Sequence, residues 1–302
     1  MFRLATPALL VMVSFLLLAG SPARGGETPG RQLSPADTDR AINAIFAGAQ
    51  GIFRMEADIE TQKSGGMLKG QPLNYEFLRL EAPDRMWLEN RGNSRSPLPL
   101  ENCNLVIVDG RNLWEVEPRQ ANNAARLVNR RRFSPQLEGM QTQGMAAFIG
   151  LFLLGRDAVS ASGLRGDYDI KCWEEALPGG GQATLHFVLQ PLRGGENLEL
   201  WVLPGQPLPW KVRSFQRLII KFPPPRPGEA PRYRMEETIR VIRNVRTNQN
   251  GLPPFTANSF LLPLARDMQV RDEQDNRVLT PREVGQELEA VRALYQQQHQ
   301  GR

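Results

Sequence analysis

Few side chains in this sequence are of the types that make or break bonds. His186 sits between Leu185 and Phe187 in an alternating apolar stretch, the setting of an exposed or hydrogen-bonded sheet residue rather than of a general base. His299 lies in a glutamine-rich tail. With Cys103 and Cys172 these histidines show none of the spacings at which zinc ligands recur, so no metal site is expected. No serine occupies a Gly-x-Ser-x-Gly elbow. Gly179-Gly180-Gly181 lacks the lysine and the following helix of a phosphate loop and reads as a hairpin turn. Asp167 and Asp169 share a strand face, and Glu174-Glu175 leads into that turn, yet neither pair has a histidine or third acid to complete a mechanism. The expectation is a protein with no catalytic residue and no cofactor.

The chemistry that remains is apolar. Met145–Leu154 reads M-A-A-F-I-G-L-F-L-L between Gly144 and Gly155. It falls short of the roughly 20 apolar residues that a membrane-spanning helix needs. It is also apolar on more sides than the single stripe of a helix lying on a core. Its large side chains gain on the order of 10 kcal/mol on burial, so something must cover them. Three readings are open: a buried core helix, a mobile lid over an apolar cavity, or a segment dipping into a membrane.

The elements that would position such a cavity follow from the periodicity. Ser34-Pro35-Ala36-Asp37 supplies an N-cap, a proline for the first turn and an acid. Ile42, Ile45, Phe46, Ala49, Ile52 and Phe53 then recur at helical spacing. From Met55 the period changes to two. Met55, Ala57 and Ile59, then Leu73, Tyr75 and Phe77, then Met86 and Leu88 within 85–90 mark strands. Leu105–Val108 and Leu113–Val116 flank Asp109-Gly110, whose residues tolerate the positive φ of a tight hairpin. A second helical region opens at Ser134-Pro135 and includes the apolar stretch. Alternation resumes with Tyr168, Ile170 and Cys172, then Leu185, Phe187 and Leu189, then Leu198, Leu200 and Val202, then 210–220 and 233–245. Thr280-Pro281-Arg282-Glu283 is a capping box for a last helix with Val284, Leu288, Val291 and Leu294 on one face, and Gln296-Gln297-Gln298 reads as a frayed end. Without a βαβ rhythm the fold class is α+β, mainly antiparallel. A sheet curved strongly around helices leaves room for an apolar ligand.

The chain has 302 residues and a formal charge of +5. Arg3, an apolar run at 8–19 and small residues at Ser21 and Ala23 form the layout of a cleavable export signal over 1–23. Cleavage removes one of 37 basic and none of 32 acidic residues, leaving +4. Export and the scatter of the arginines argue against nucleic acid, and Arg130-Arg131-Arg132 reads as a solvated edge. The remaining divisions are a disordered leader at 24–33, the main domain at 34–272, and a C-terminal helix and tail at 273–302. In an oxidising compartment Cys103 and Cys172 invite a disulfide, and two separate buried thiols are the alternative. A bridge would close a loop of about 70 residues and add roughly 4 kcal/mol.

The order of motifs resembles the periplasmic lipoprotein carriers of the LolA/LolB type. The residues responsible are Phe53-Arg54-Met55-Glu56-Ala57 with Thr61-Gln62-Lys63, and Phe77-Leu78-Arg79-Leu80-Glu81-Ala82-Pro83-Asp84-Arg85-Met86-Trp87. To these are added the hairpin Val108-Asp109-Gly110-Arg111-Asn112-Leu113-Trp114-Glu115-Val116-Glu117-Pro118 and the passage from Phe260 through Pro263 to Val270 and Asp272. The resemblance covers about 42–272. It implies an incomplete β-barrel wrapped around helices that act as plug or lid, an acyl-chain cavity, transport across the periplasm towards the outer membrane, and membrane-bound donor and acceptor proteins. On this reading Met86, Leu88, Leu185, Phe187, Leu189, Leu198, Leu200 and Val202 form the cavity wall, and Met145, Phe148, Ile149 and Phe152 the lid. The alternative is an envelope sensor or scaffold on the same fold, its cavity filled by its own side chains. One departure stands out. The family arginine that precedes the proline of the second motif is Ala82 here, and Arg85, an odd number of residues on, faces the other side of the strand.

Overall fold

A computed structural model of the chain describes residues 30–64, 74–82, 84–119, 125–133, 161–177, 183–192, 197–219 and 233–299. The expected export signal and the apolar stretch at 145–154 lie outside the described residues.

The chain opens with β1 (Arg31–Gln32) and α1 (Pro35–Gln50). Ser34 caps α1 as its sequence demands, accepting the Asp37 amide at 3.1 Å, with Pro35 in the first turn. A first run of strands follows: β2 (Arg54–Ser64), β3 (Asn74–Glu81), β4 (Arg85–Asn90), β5 (Asn104–Asp109), β6 (Asn112–Val116) and β7 (Arg126–Arg132). After α2 (Ala161–Asp167) comes a second run: β8 (Tyr168–Ala176), β9 (Ala183–Pro191), β10 (Asn197–Val202), β11 (Pro209–Ile219) and β12 (Tyr233–Thr247). The chain ends with β13 (Met268–Asp272), β14 (Arg277–Leu279) and α3 (Pro281–His299).

The fourteen strands among the described residues belong to one curved sheet in the order β1-β8-β9-β10-β11-β12-β2-β3-β4-β5-β6-β7-β13-β14. Each run is a meander of antiparallel neighbours, and the β12–β2 pairing joins the two. The one exception to antiparallel pairing among these strands is β13 on β7, Val270 opposite Val128. The sheet does not close: β1 and β14 are its two ends among the described residues.

Because side chains alternate across a strand, the pairing registers assign sheet residues to one of two faces away from the register shifts at Trp201/Val202 and Arg243/Arg246. The first face carries α1. There Ile170, Cys172, Phe187, Leu189 and Val202 pack with Ile42, Ile45 and Phe46 of α1. On the same face, Met55, Ile59, Leu78 and Leu80 pack with Ile52, Leu208 and Val245. The opposite face carries α3. Trp87, Leu105, Ile107, Trp114, Val116, Val128 and Val270 pack there with Val284, Leu288 and Val291. The helices therefore cover opposite faces at opposite ends of the sheet.

The expected Asp-Gly hairpin joins β5 to β6, with Gly110 at φ +91°. The capping box of α3 is made in both directions: Thr280 Oγ1 accepts the Glu283 amide at 3.3 Å, and the Glu283 carboxylate accepts the Thr280 amide at 2.8 Å. The expected frayed end is a correction. The helix continues through Gln296–Gln298 to His299, and Tyr295 rather than Leu294 completes its buried stripe. Its last turn is clasped: His299 stacks on Tyr295 at 4.0 Å, and Arg85 lies over the same ring and donates to Gln298.

Candidate functional site

The eight residues expected to line a cavity come together on the α1 face. On β9 and β10 they stand in directly opposed pairs: Leu189 with Leu198, Phe187 with Leu200, Leu185 with Val202. β8 extends this wall, with Ile170 opposite Leu189 and Cys172 opposite Phe187. Met86 and Leu88 of β4 lie opposite Leu80 and Leu78 of β3, and belong to the second apolar cluster of that face. The structure thus divides the eight into a group of six under α1 and a pair across the sheet. Met145, Phe148, Ile149 and Phe152, expected as a lid, lie outside the described residues.

The wall is covered where α1 crosses it. Phe187 is 2% exposed, Leu189 5% and Val202 2%, whereas Leu185, Leu198 and Leu200 are half-buried. Between the two apolar clusters the α1 face turns polar, a feature that the sequence reading missed. Ser214 of β11, Thr238 and Arg240 of β12, Thr61 of β2, and Asn74 and Glu76 of β3 form one band. Burial pushes the Glu76 carboxyl above its ordinary range, and Arg240, then Lys63, oppose that rise. The signal was present in the alternation, since Thr61 and Ser214 occupy apolar positions of otherwise regular strands, but only the registers place them on one face, on either side of β12.

The opposite face of β8–β10 carries a transverse row. Trp173, His186, Trp201 and Lys211 stand opposite one another on four successive strands. His186 stacks on Trp201 at 4.2 Å, and Lys211 Nζ lies 4.1 Å from the centre of the same indole. His186 Nδ1 is 2.7 Å from Glu175, a carboxylate that can only accept, so this nitrogen carries a proton and donates. Its Nε2 is 3.6 Å from Glu199, beyond hydrogen-bond reach, and has no other partner. Burial alone would lower the imidazole pKa, but the two carboxylates outweigh it and the net shift is upward. Such a histidine is held in the sheet by one hydrogen bond and a stacked indole, with its second nitrogen facing a carboxylate.

The possible disulfide is a second correction. Cys103 and Cys172 are free thiols, both buried. They belong to clusters on opposite faces, eight strand positions apart in the sheet, and no disulfide spans such a separation. Burial pushes the Cys172 thiol up to about 12 and raises that of Cys103 as well, so both stay protonated and unreactive. Arg85 is 4% exposed and points to α3, away from the α1 face, as its odd offset from Ala82 requires. Among the described residues no three His, Cys, Asp or Glu side chains are placed to hold a metal, and no helix is long and apolar enough to cross a membrane.

No protein-family model and no curated protein matches the sequence. Among solved structures, the chain is similar to a LolA superfamily protein from Nitrosomonas europaea (12% identity, covering 72% of this chain and 95% of that one, TM-score 0.30). It is also similar to a putative outer membrane lipoprotein-sorting protein domain from Vibrio parahaemolyticus (13% identity, 73% and 95%, TM-score 0.32) and to the lipoprotein LppX from Mycobacterium tuberculosis (7% identity, 73% and 99%, TM-score 0.36).

Proposed function

We propose that this chain is an exported carrier that holds acyl chains of lipoproteins or other lipids against the α1 face of its open sheet, for passage across the periplasm towards the outer membrane. One observation carries the reading: the apolar residues of β2–β4 and of β8–β10 face the same side of a sheet that does not close. Membrane-bound donor and acceptor proteins belong to this reading, as the resemblance implies. Contact with the membrane itself would be peripheral.

A specific observation favours a second reading, in which the same fold serves as an envelope sensor or scaffold. Ile42, Ile45 and Phe46 of α1 already occupy the wall formed by β8–β10. Native mass spectrometry of the mature protein, purified from its exported compartment without detergent, separates the two. A discrete added mass that denaturation releases as lipid or acylated peptide is the expected result. A bare polypeptide mass, unchanged after incubation with lipoprotein or fatty acid, would overturn the carrier reading.

A further inference from the structure

On the face opposite α1, β2 carries Glu56, Asp58 and Glu60 in alternation with the apolar residues of the wall side. Glu56 and Glu60 each hold two arginines. Glu56 takes Arg79 of β3 at 2.8 Å and Arg246 of β12. Glu60 takes Arg243 of β12 at 3.2 Å and Arg95, from the segment after β4, at 3.0 Å. Between them, Arg91 lies 3.6 Å from Asp58 and donates to Glu89 at 2.7 Å. A β-bulge makes the arrangement possible. Arg243 stands opposite Asp58 and Arg246 opposite Glu56, so β12 spends three residues where β2 spends two. In regular alternation Arg243 and Arg246 would point to opposite faces, and the extra residue turns both towards the acids. Asn244 within the bulge adopts the left-handed region at φ +51°, and its side chain donates to Asp58 at 2.8 Å.

The charges are layered. The Glu56 and Glu60 side chains are 6% and 13% exposed, against 62%, 56% and 74% for Arg246, Arg243 and Arg95. Solvent therefore meets guanidinium above a floor of carboxylate. Glu60 is approached by one nitrogen of each of its two arginines, and a guanidinium carries five N–H donors in a planar fork. N–H groups of Arg95 and Arg243 thus remain for an acceptor above Glu60. Both line a cleft of about 350 Å³, together with Asp58, Tyr75, Arg91 and Asn244. Tyr75 fixes one side of it, its ring centre 5.5 Å from the Arg95 guanidinium. Charged walls suit no hydrocarbon, and two guanidiniums sharing one carboxylate leave a positive charge in excess at the mouth. A carboxylate suits a single arginine fork, whereas a phosphate has oxygens enough for two. We infer that Arg95 and Arg243, held in place by Glu60, form a phosphate-binding subsite on the face opposite the apolar wall. The same chemistry serves a phospholipid headgroup and free phosphate. The subsite is independent of the carrier reading.

The test titrates inorganic phosphate into the mature protein at low ionic strength and follows the arginine Nε–H signals by NMR. In parallel the protein is sedimented with phosphatidylcholine vesicles, with and without phosphatidylglycerol. Both measurements are repeated on Arg95→Gln, Arg243→Gln and Arg40→Gln. Arg40, 78% exposed on α1, is the charge-matched control away from the cleft. Saturable phosphate binding is expected, weakened about fivefold to tenfold in each cleft variant and unchanged in Arg40→Gln. Vesicle binding that needs phosphatidylglycerol and weakens in the same two variants would identify the ligand as a lipid headgroup. Saturable phosphate binding without vesicle binding would identify it as free phosphate. Equal effects in all three variants, including none, would show attraction by net charge alone and overturn the subsite. A wild type that neither saturates with phosphate nor binds the vesicles would overturn it as well.

Discussion

At the scale of single residues, buried charge organises this molecule as much as apolar contact does. Asp109 is fully buried and accepts the amides of Arg111 at 2.9 Å and Asn112 at 2.7 Å, and the Trp114 indole N–H at 2.6 Å. One carboxylate thus shapes the hairpin turn and orients a fully buried tryptophan of the α3-side core. Asp109→Ala leaves that indole N–H buried without an acceptor and is expected to cost about 3 kcal/mol, measured by urea denaturation. His186 yields a prediction in pH. Its folded pKa lies above the ordinary value of 6.5, so its contribution to stability is fully present below pH 6.5 and is lost as pH rises through the folded value. Wild-type stability should therefore fall on the alkaline side of 6.5 more steeply than that of His186→Gln. Parallel curves from urea titrations across this range would show that the imidazole takes up no extra proton on folding. The partner of Asp109 was legible in part, because Asp-Gly before an apolar run announces the turn. Its bond to Trp114 was not, since it depends on where the returning strand brings the ring.

At the scale of elements, the starts of the long helices were legible and the role of the last one was not. Ser34-Pro35 and Thr280-Pro281-Arg282-Glu283 start helices at the positions the sequence marks, because capping is a local matter of a few orphan amides. Whether a helix is an appendage or core depends on contacts far along the chain. Val284, Leu288 and Val291 of α3 share one cluster with Trp114 and Phe260, so α3 is the cover of the face formed by β4–β7, β13 and β14. Leu288→Ala is expected to cost about 2–5 kcal/mol in chemical denaturation. A chain ended after Leu279 would expose that apolar face and is expected to be recovered insoluble. A soluble, cooperatively unfolding truncation would show that the first 279 residues form a core without the helix. The same distinction explains the strand pairings. Alternation located β2 to β6 and β8 to β12 but not β1, β7 or β14, and the parallel placement of β13 on β7 is decided by which edge remains open once the meander is built.

At the scale of the whole molecule, the division of labour between the two faces follows from side-chain alternation carried through the registers from β8 to β7, which shift at Trp201/Val202 and at Arg243/Arg246. The apolar wall was legible because each strand shows its own alternation. The polar band across it was not, because Thr61 and Ser214 are far apart in sequence and come onto one face only through the pairings on either side of β12. The arrangement places a demand on any cargo. Phe187, Leu189 and Val202 are already under α1, so hydrocarbon can reach them only if Ile42, Ile45 and Phe46 withdraw. A helix held mainly by its apolar face is the element best able to do this, since its backbone hydrogen bonds move with it. Loading with methyl palmitate should therefore leave the α3-side core unchanged and increase amide hydrogen exchange in residues 35–50, as the helix exchanges packing for solvent. If cargo is bound while exchange in α1 stays unaltered or slows, the acyl chain lies over Met86 and Leu88 instead, and α1 is a fixed part of the wall. That outcome would confine the carrier surface to β2–β4, and Ile52 and Met55, which pack there, would become the residues whose truncation weakens binding.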